Sequence, residues 1–384
     1  LFLFISFSSS IFDRYEKIHS NKEKCPDLKT TDTLSVEKNN NNDRHYVDCD
    51  SIGKVSFSSD SFSSEYKIAK YLFAGSSVTA VDFAEISSGL TISEGAFSYC
   101  KYLKGFDLTK INGEIIIEEG AFFKCEGLTS IKFPAKTISI GKSSFEQCTK
   151  LVLDFPKGMT IYEISSYAFY ECTAITKIDS LKVTEKIDDY AFAKCTNLIL
   201  QGTIEANEVG DYSFYGCQIK DLTIKCPTVG KHAFHGNGNI KAFDKTITVY
   251  NFGSYAFDGL KLPSTLEFKE CTFKPYVFAN CDLTDVKVIT ITGAIPNYCF
   301  DNPLKLNNEK CDITLGSGSI GKHSFKNFGK FQLTLNKEGV SPFYKISAYA
   351  FYNSGLEGNL LIPSVYTNIG TRAFAETNFK NLTI

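Results

Sequence analysis

A phenylalanine returns about every 23 residues along most of this chain, at Phe73, Phe97, Phe122, Phe145, Phe169, Phe192, Phe214, Phe234, Phe257, Phe278, Phe300, Phe325, Phe351 and Phe374. The intervals run from 20 to 26 residues, and the fourteen copies occupy more than three quarters of the 384 residues. A unit of that length cannot bury its apolar face alone; it buries it against the units before and after. The period therefore commits the chain to stacked coils, and any other motif has first to be read as a position in the repeat. It also lifts the usual limit on domain size, because the core of a stack grows along one axis.

The surroundings of each phenylalanine repeat with it. Counting from Phe as position 0, position −5 is a branched apolar residue in most copies, among them Ile92, Ile117, Ile140, Ile164, Ile187, Val209 and Val229. Position −4 is often Gly, as expected where the backbone leaves a strand through a tight turn. Position −1 is small, usually Ala, and position +3 is Cys in seven copies: Cys100, Cys125, Cys148, Cys172, Cys195, Cys217 and Cys281. Stretches such as Ile131-Lys-Phe133 and Leu222-Thr-Ile224 then alternate, which marks a short strand with one buried face. We expect each unit to run strand, turn, one helical or 3₁₀ turn carrying Ala-Phe-x-x-Cys, and strand again. Stacked units make parallel strands with the phenylalanines from Phe97 to Phe374 as an interior column, each worth roughly 1.5–3 kcal/mol when fully buried.

Units such as Ile140-Gly-Lys-Ser-Ser-Phe145-Glu-Gln-Cys148 and Ile187-Asp-Asp-Tyr-Ala-Phe192-Ala-Lys-Cys195 resemble the BspA-type (Treponema-type) leucine-rich repeat. The resemblance covers Ile68 to Ile384 and implies a leucine-rich-repeat solenoid of right-handed coils. It further implies a surface or secreted protein of a bacterium or parasitic protist that adheres to host cells, matrix or other microbes, and it brings no catalytic motif. The copies from Phe234 onward depart from the pattern at position +3, where Asn237, Leu260, Pro303, Phe328, Ser354 and Thr377 replace Cys. Less regular stacking is expected there.

Outside the array the sequence is of a different kind. Residues 1–12, LFLFISFSSSIF, read as the remnant of a secretory signal peptide whose basic start is missing; an ordinary buried strand is the alternative. Residues 13–60 are polar and aperiodic, with Asn at 39 to 42, and read as a linker or N-terminal cap before a solenoid over 61–384. The lack of an initiator Met and the stop within a repeat at Ile384 lead us to expect a fragment cut at both ends. A net charge of −2 gives no electrostatic reason to expect nucleic acid as a partner.

The thirteen cysteines would ordinarily announce a disulfide framework in a secreted chain. Seven of them share one repeat position, however, where parallel side chains one coil apart disfavour a disulfide torsion. Those we expect to be free thiols, and Cys25 and Cys49, outside the array, are the better disulfide pair. Gly316-Ser-Gly318-Ser-Ile-Gly321 matches G-x-G-x-x-G, yet Ile320 and Gly321 are positions −5 and −4 of the copy at Phe325, and a nucleotide site requires a full helix there. His232 and His235 flank Ala233-Phe234 at i, i+3, but no third ligand stands near them in sequence, so we expect no metal. No nucleophile arrangement accompanies the five histidines, and neither an enzyme nor a small-molecule cofactor is expected.

Position −2 is aromatic in most copies, including Tyr167, Tyr190, Tyr212, Tyr255, Tyr276 and Tyr298, with His232 and His323 in the same register. If Phe points inward, these rings lie near the rim and offer contact area at low entropic cost. They are our expected partner-binding residues; packing of each ring over its neighbour is the plainer reading. The outward residues of the strands, such as Lys132, Asp154, Thr223 and Lys287, are the other surface on offer. The functional expectation is a secreted or cell-surface recognition protein that binds a protein or glycan of host, matrix or microbe. An intracellular leucine-rich-repeat scaffold is the alternative, consistent with so many unpaired thiols.

Overall fold

The computed structural model describes residues 25, 32–37, 41–58, 66–247, 249–306, 309–316, 318–336 and 343–384. The segment 1–12 lies outside these residues, as do most of 13–31 and Asn39 and Asn40. The chain falls into two compact units, the first reaching Lys177 and including Val183–Leu198, the second made of Ile178–Lys182 and Ile199–Ile384. Each is a parallel β-solenoid of stacked coils.

In the first unit, one row of strands leads into the phenylalanine turns: Lys67–Ile68, Leu90–Ile92, Ile115–Ile117, Thr137–Ile140, Thr160–Ile164 and Lys186–Ile187, each paired in parallel with the next. Position −5 sets the register, since Ile92 opposes Ile117 and Ile117 opposes Ile140. A second row, Thr33–Val36, Lys54–Phe57, Ala80–Phe83, Gly105–Asp107 and Ser130–Lys132, also pairs in parallel. The second unit repeats the plan with Glu208–Val209, Thr228–Val229, Tyr250–Phe252 and Cys271–Phe273 on one side. On the other, longer strands such as Ile199–Glu205, Gln218–Lys225 and Asn237–Phe243 stand side by side.

Phenylalanine rings fill the interior of both units. From Phe73 to Phe192 successive rings are parallel within 15° and 4.9 to 5.5 Å apart. From Phe214 to Phe374 the spacing is 5.2 to 5.8 Å. All are buried except Phe374, which is half-buried in the last coil.

The expected helical or 3₁₀ turn is corrected by the structure: among the described residues there is no helix, and none therefore long enough to cross a membrane. Ala-Phe-x-x-Cys is instead a chain of reverse turns. Around Phe97 the amides of Ala96, Ser98 and Cys100 donate within the coil to the carbonyls of Ser93, Gly95 and Phe97. The intervening amides of Gly95, Phe97 and Tyr99 donate to Glu119, Ala121 and Phe123 of the following coil. With alternate N–H groups committed to the neighbour, the i→i−4 ladder of a helix cannot form. Positions −2 and +2 accordingly turn left-handed, as Gly95 and Tyr99 do at φ 61° and 59°.

Within the expected N-terminal segment 13–60 lies one more turn of this kind. Arg44, Tyr46 and Asp48 donate their amides to Lys70, Leu72 and Ala74, and the buried Tyr46 ring stacks on Phe73 at 5.2 Å. Tyr46 thus takes the phenylalanine's place and Cys49 falls at position +3. That cysteine is joined by a disulfide to Cys25, 24 residues earlier, with Cα atoms 5.4 Å apart.

Candidate functional site

Two rows of side chains run along the coils beside the phenylalanines, one inside at position +3 and one at the rim at position −2. The inner row belongs mainly to the first unit. Cys100, Cys125, Cys148, Cys172 and Cys195 are buried free thiols. Each Sγ–H donates to the carbonyl of the phenylalanine one coil earlier, at 2.9 to 3.1 Å. Burial pushes Cys100 and Cys195 up to about 12, so these side chains are neutral donors and poor nucleophiles. In the second unit Cys281 bonds Phe257 in the same way. Ser354, which replaces Cys at this position, instead turns its hydroxyl to Phe351 of its own coil.

The outer row is aromatic. In the first unit Tyr167 and Tyr190 stack face to face, centroids 4.9 Å apart and 8° from parallel. Earlier coils break the row: Gly95 and Gly120 take the left-handed place, and the Tyr71 ring covers Gly95 so closely that a Cβ there would lie 2.2 Å from it. In the second unit Tyr212, His232, Tyr255, Tyr276, Tyr298, His323 and Tyr349 form an unbroken stack with centroids 4.7 to 5.2 Å apart. Every one of these residues is partly exposed and holds a φ between 52° and 65°. A non-glycine residue in that region costs on the order of 1–3 kcal/mol, which ring stacking of about 0.5–1.5 kcal/mol per pair offsets in part. Burial and the neighbouring phenols raise the Tyr276 hydroxyl above its ordinary range, so it stays protonated.

One cluster joins residues far apart in sequence. Asp258, one coil beyond His235 and in the same register, brings its carboxylate beside His232 and His235, with one ligand atom from each residue within 4.8 Å of the others. The separation in sequence hid it; the shared register, position +1, was the signal that could have revealed it. The glycines of the G-x-G-x-x-G string serve close packing instead: a Cβ on Gly318 or Gly321 would lie 2.4 Å from the backbone of the coil before. No helix follows them. Of the outward strand residues, Lys132, Asp154 and Lys287 are exposed and Thr223 is half-buried. Lys132 is engaged by Asp107 at 3.2 Å.

The profile of the BspA type leucine rich repeat region matches the chain in six overlapping copies, over residues 25–151, 66–199, 115–241, 199–307, 227–341 and 293–384. No curated protein matches the sequence. The family and the fold point to a repeat-based protein-interaction role, and they account for the strand register, the phenylalanine column and the cysteine row together. The chain belongs to the BspA-type leucine-rich repeat family.

Proposed function

We propose that this chain is a secreted or cell-surface recognition protein, without enzymatic activity, that binds a host, matrix or microbial protein or glycan through its outer aromatic row. The contact residues are Tyr167 and Tyr190 in the first unit and Tyr212, Tyr255, Tyr276 and Tyr298 in the second. The observation that carries this reading is the row of left-handed, partly exposed rings at a constant interval. The left-handed turn recurs in coil after coil, so what supports a role in binding is that aromatic residues fill it and keep part of each ring in solvent. Stacked rings on fixed turns offer wide contact area with little side-chain entropy left to lose. Planar sugar faces and the apolar faces of peptides both suit such a row.

The Cys25–Cys49 disulfide favours an oxidising compartment, and hence the secreted reading over an intracellular scaffold. Replacing Tyr190, Tyr212 and Tyr255 together with Ser tests the proposal by attachment of the purified protein to arrays of matrix proteins and glycans. Attachment should fall at least about tenfold, the loss of ~1.4 kcal/mol, with an unchanged circular dichroism spectrum. Undiminished attachment would move the binding surface to the outward strand residues.

A further inference from the structure

We propose that His232, His235 and Asp258 form a binding site for a first-row divalent cation of the zinc type. The three residues reach one point because the coils repeat. His232 and His235 occupy positions −2 and +1 of one turn, and Asp258 occupies position +1 of the next, about one strand spacing (~4.8 Å) along the stack. Their ligand atoms lie within 4.8 Å of one another. Two imidazoles and one carboxylate make the donor set of three-residue zinc sites, which leave a further position for water or for a ligand from outside. Calcium and magnesium, which take oxygen ligands, do not fit two imidazoles.

The surrounding groups hold these donors in place. Nδ1 of His232 and Nδ1 of His235 are both buried without a hydrogen-bond partner. His235 Nδ1 stands 2.7 Å from Asp258 Oδ2, within ion-pair distance. The other carboxylate oxygen, Oδ1, accepts from the Asn280 amide at 2.7 Å, an outer partner that fixes the carboxylate with Oδ2 turned toward His235. The His232 ring is clamped between Tyr212 and Tyr255 at 4.9 and 4.8 Å, and His235 lies flat on Tyr215 at 5.0 Å.

A control is built into the chain. His323 occupies the same register as His232 and also buries an unpartnered Nδ1, but its position +1 is Lys326, an ammonium where a ligand would be needed. The cation site does not depend on the partner-binding reading, since it needs only one turn and its neighbour.

The test is calorimetric titration of the metal-free full chain with Zn²⁺, alongside Co²⁺ as a spectroscopic probe. The parent protein and His323→Tyr should bind one equivalent that His232→Tyr lacks; Tyr is the residue that fills this register in adjacent coils. Asp258→Asn should weaken binding at least tenfold, and Asn280→Ala by about 10–100-fold as expected for an outer partner. Co²⁺ bound to the parent protein should give visible d–d bands without a thiolate charge-transfer band, a readout that needs no variant to fold. Absence of Zn²⁺ uptake by the parent, equal uptake by His232→Tyr, or a thiolate band would each overturn the proposal.

Discussion

The two units use one turn and stabilise it differently. In the first, the regular feature is inside: five successive cysteines donate to the phenylalanine carbonyls of the coil before, while the left-handed rim position falls to Gly95, Gly120 and Ser143 in successive coils. In the second, Cys281 repeats that bond, and regularity moves to the rim, where seven rings stack in sequence. A glycine accepts φ > 0 without strain, whereas a tyrosine there strains the backbone. The first unit is thus built for a satisfied interior and the second for a patterned surface. Each keeps a phenylalanine column of the same kind, so the difference is laid over the same type of core.

The largest expected effect tests the phenylalanine core of each unit. Phe145→Ala in the first unit and Phe257→Ala in the second should each cost about 3–5 kcal/mol, read as the shift in urea unfolding. A cost in one unit far below the other would mean that the column does not carry both alike.

Position +1 offers the next contrast. Glu146 is 4 % exposed in the first unit, whereas Asp258 in the same register of the second unit is met by His235 and Asn280. Burial pushes the Glu146 carboxyl from its ordinary value of 4.5 up to about 7, with Glu171 adding to the rise and the Ser143 hydroxyl opposing it. Below pH 4.5 the group is protonated whether folded or unfolded and costs nothing. As pH climbs toward 7 the unfolded chain releases its proton while the folded one retains it, so stability declines through that interval. Glu146→Gln should remove the decline, leaving the variant more stable by on the order of 2–3 kcal/mol above pH 7 and equal to the parent near pH 4. A pH-independent gain would show that the carboxylate is already solvated.

The smallest effect is expected at the rim. Tyr276→Gly gives up stacking with Tyr255 and Tyr298 but relieves a φ of 65°, and unfolding should shift by less than about 1 kcal/mol. A loss of several kcal/mol would make the aromatic row part of the fold rather than part of a recognition surface.

Much of this architecture is legible in the sequence, and what is not has a physical cause. The period fixes the coils, position −5 fixes strand register, and Phe alternating with small residues fixes the interior, because all three are burial patterns. The turn type is not written in the same way: it depends on amides such as those of Gly95, Phe97 and Tyr99 being claimed by the neighbouring coil. Hence a turn that the residue pattern also allows as helical is built from reverse turns instead. The coil at Tyr46 is masked by Tyr standing where the other copies have Phe, although His45-Tyr-Val-Asp-Cys49 carries the aromatic and the cysteine at the repeat's own spacing. The meeting of Asp258 with His232 follows from the register, but only once the coils are laid one on another.

Hydroxyl-radical footprinting of the native protein bears most directly on the central claim, because it compares two aromatic rows only two residues apart in sequence. The rings of Tyr212, Tyr255, Tyr276 and Tyr298 should be oxidised readily, while Phe214, Phe257, Phe278 and Phe300 stay protected until the chain unfolds. Oxidation of those phenylalanines in the folded protein at rates matching the tyrosines would contradict an interior column beneath an exposed one.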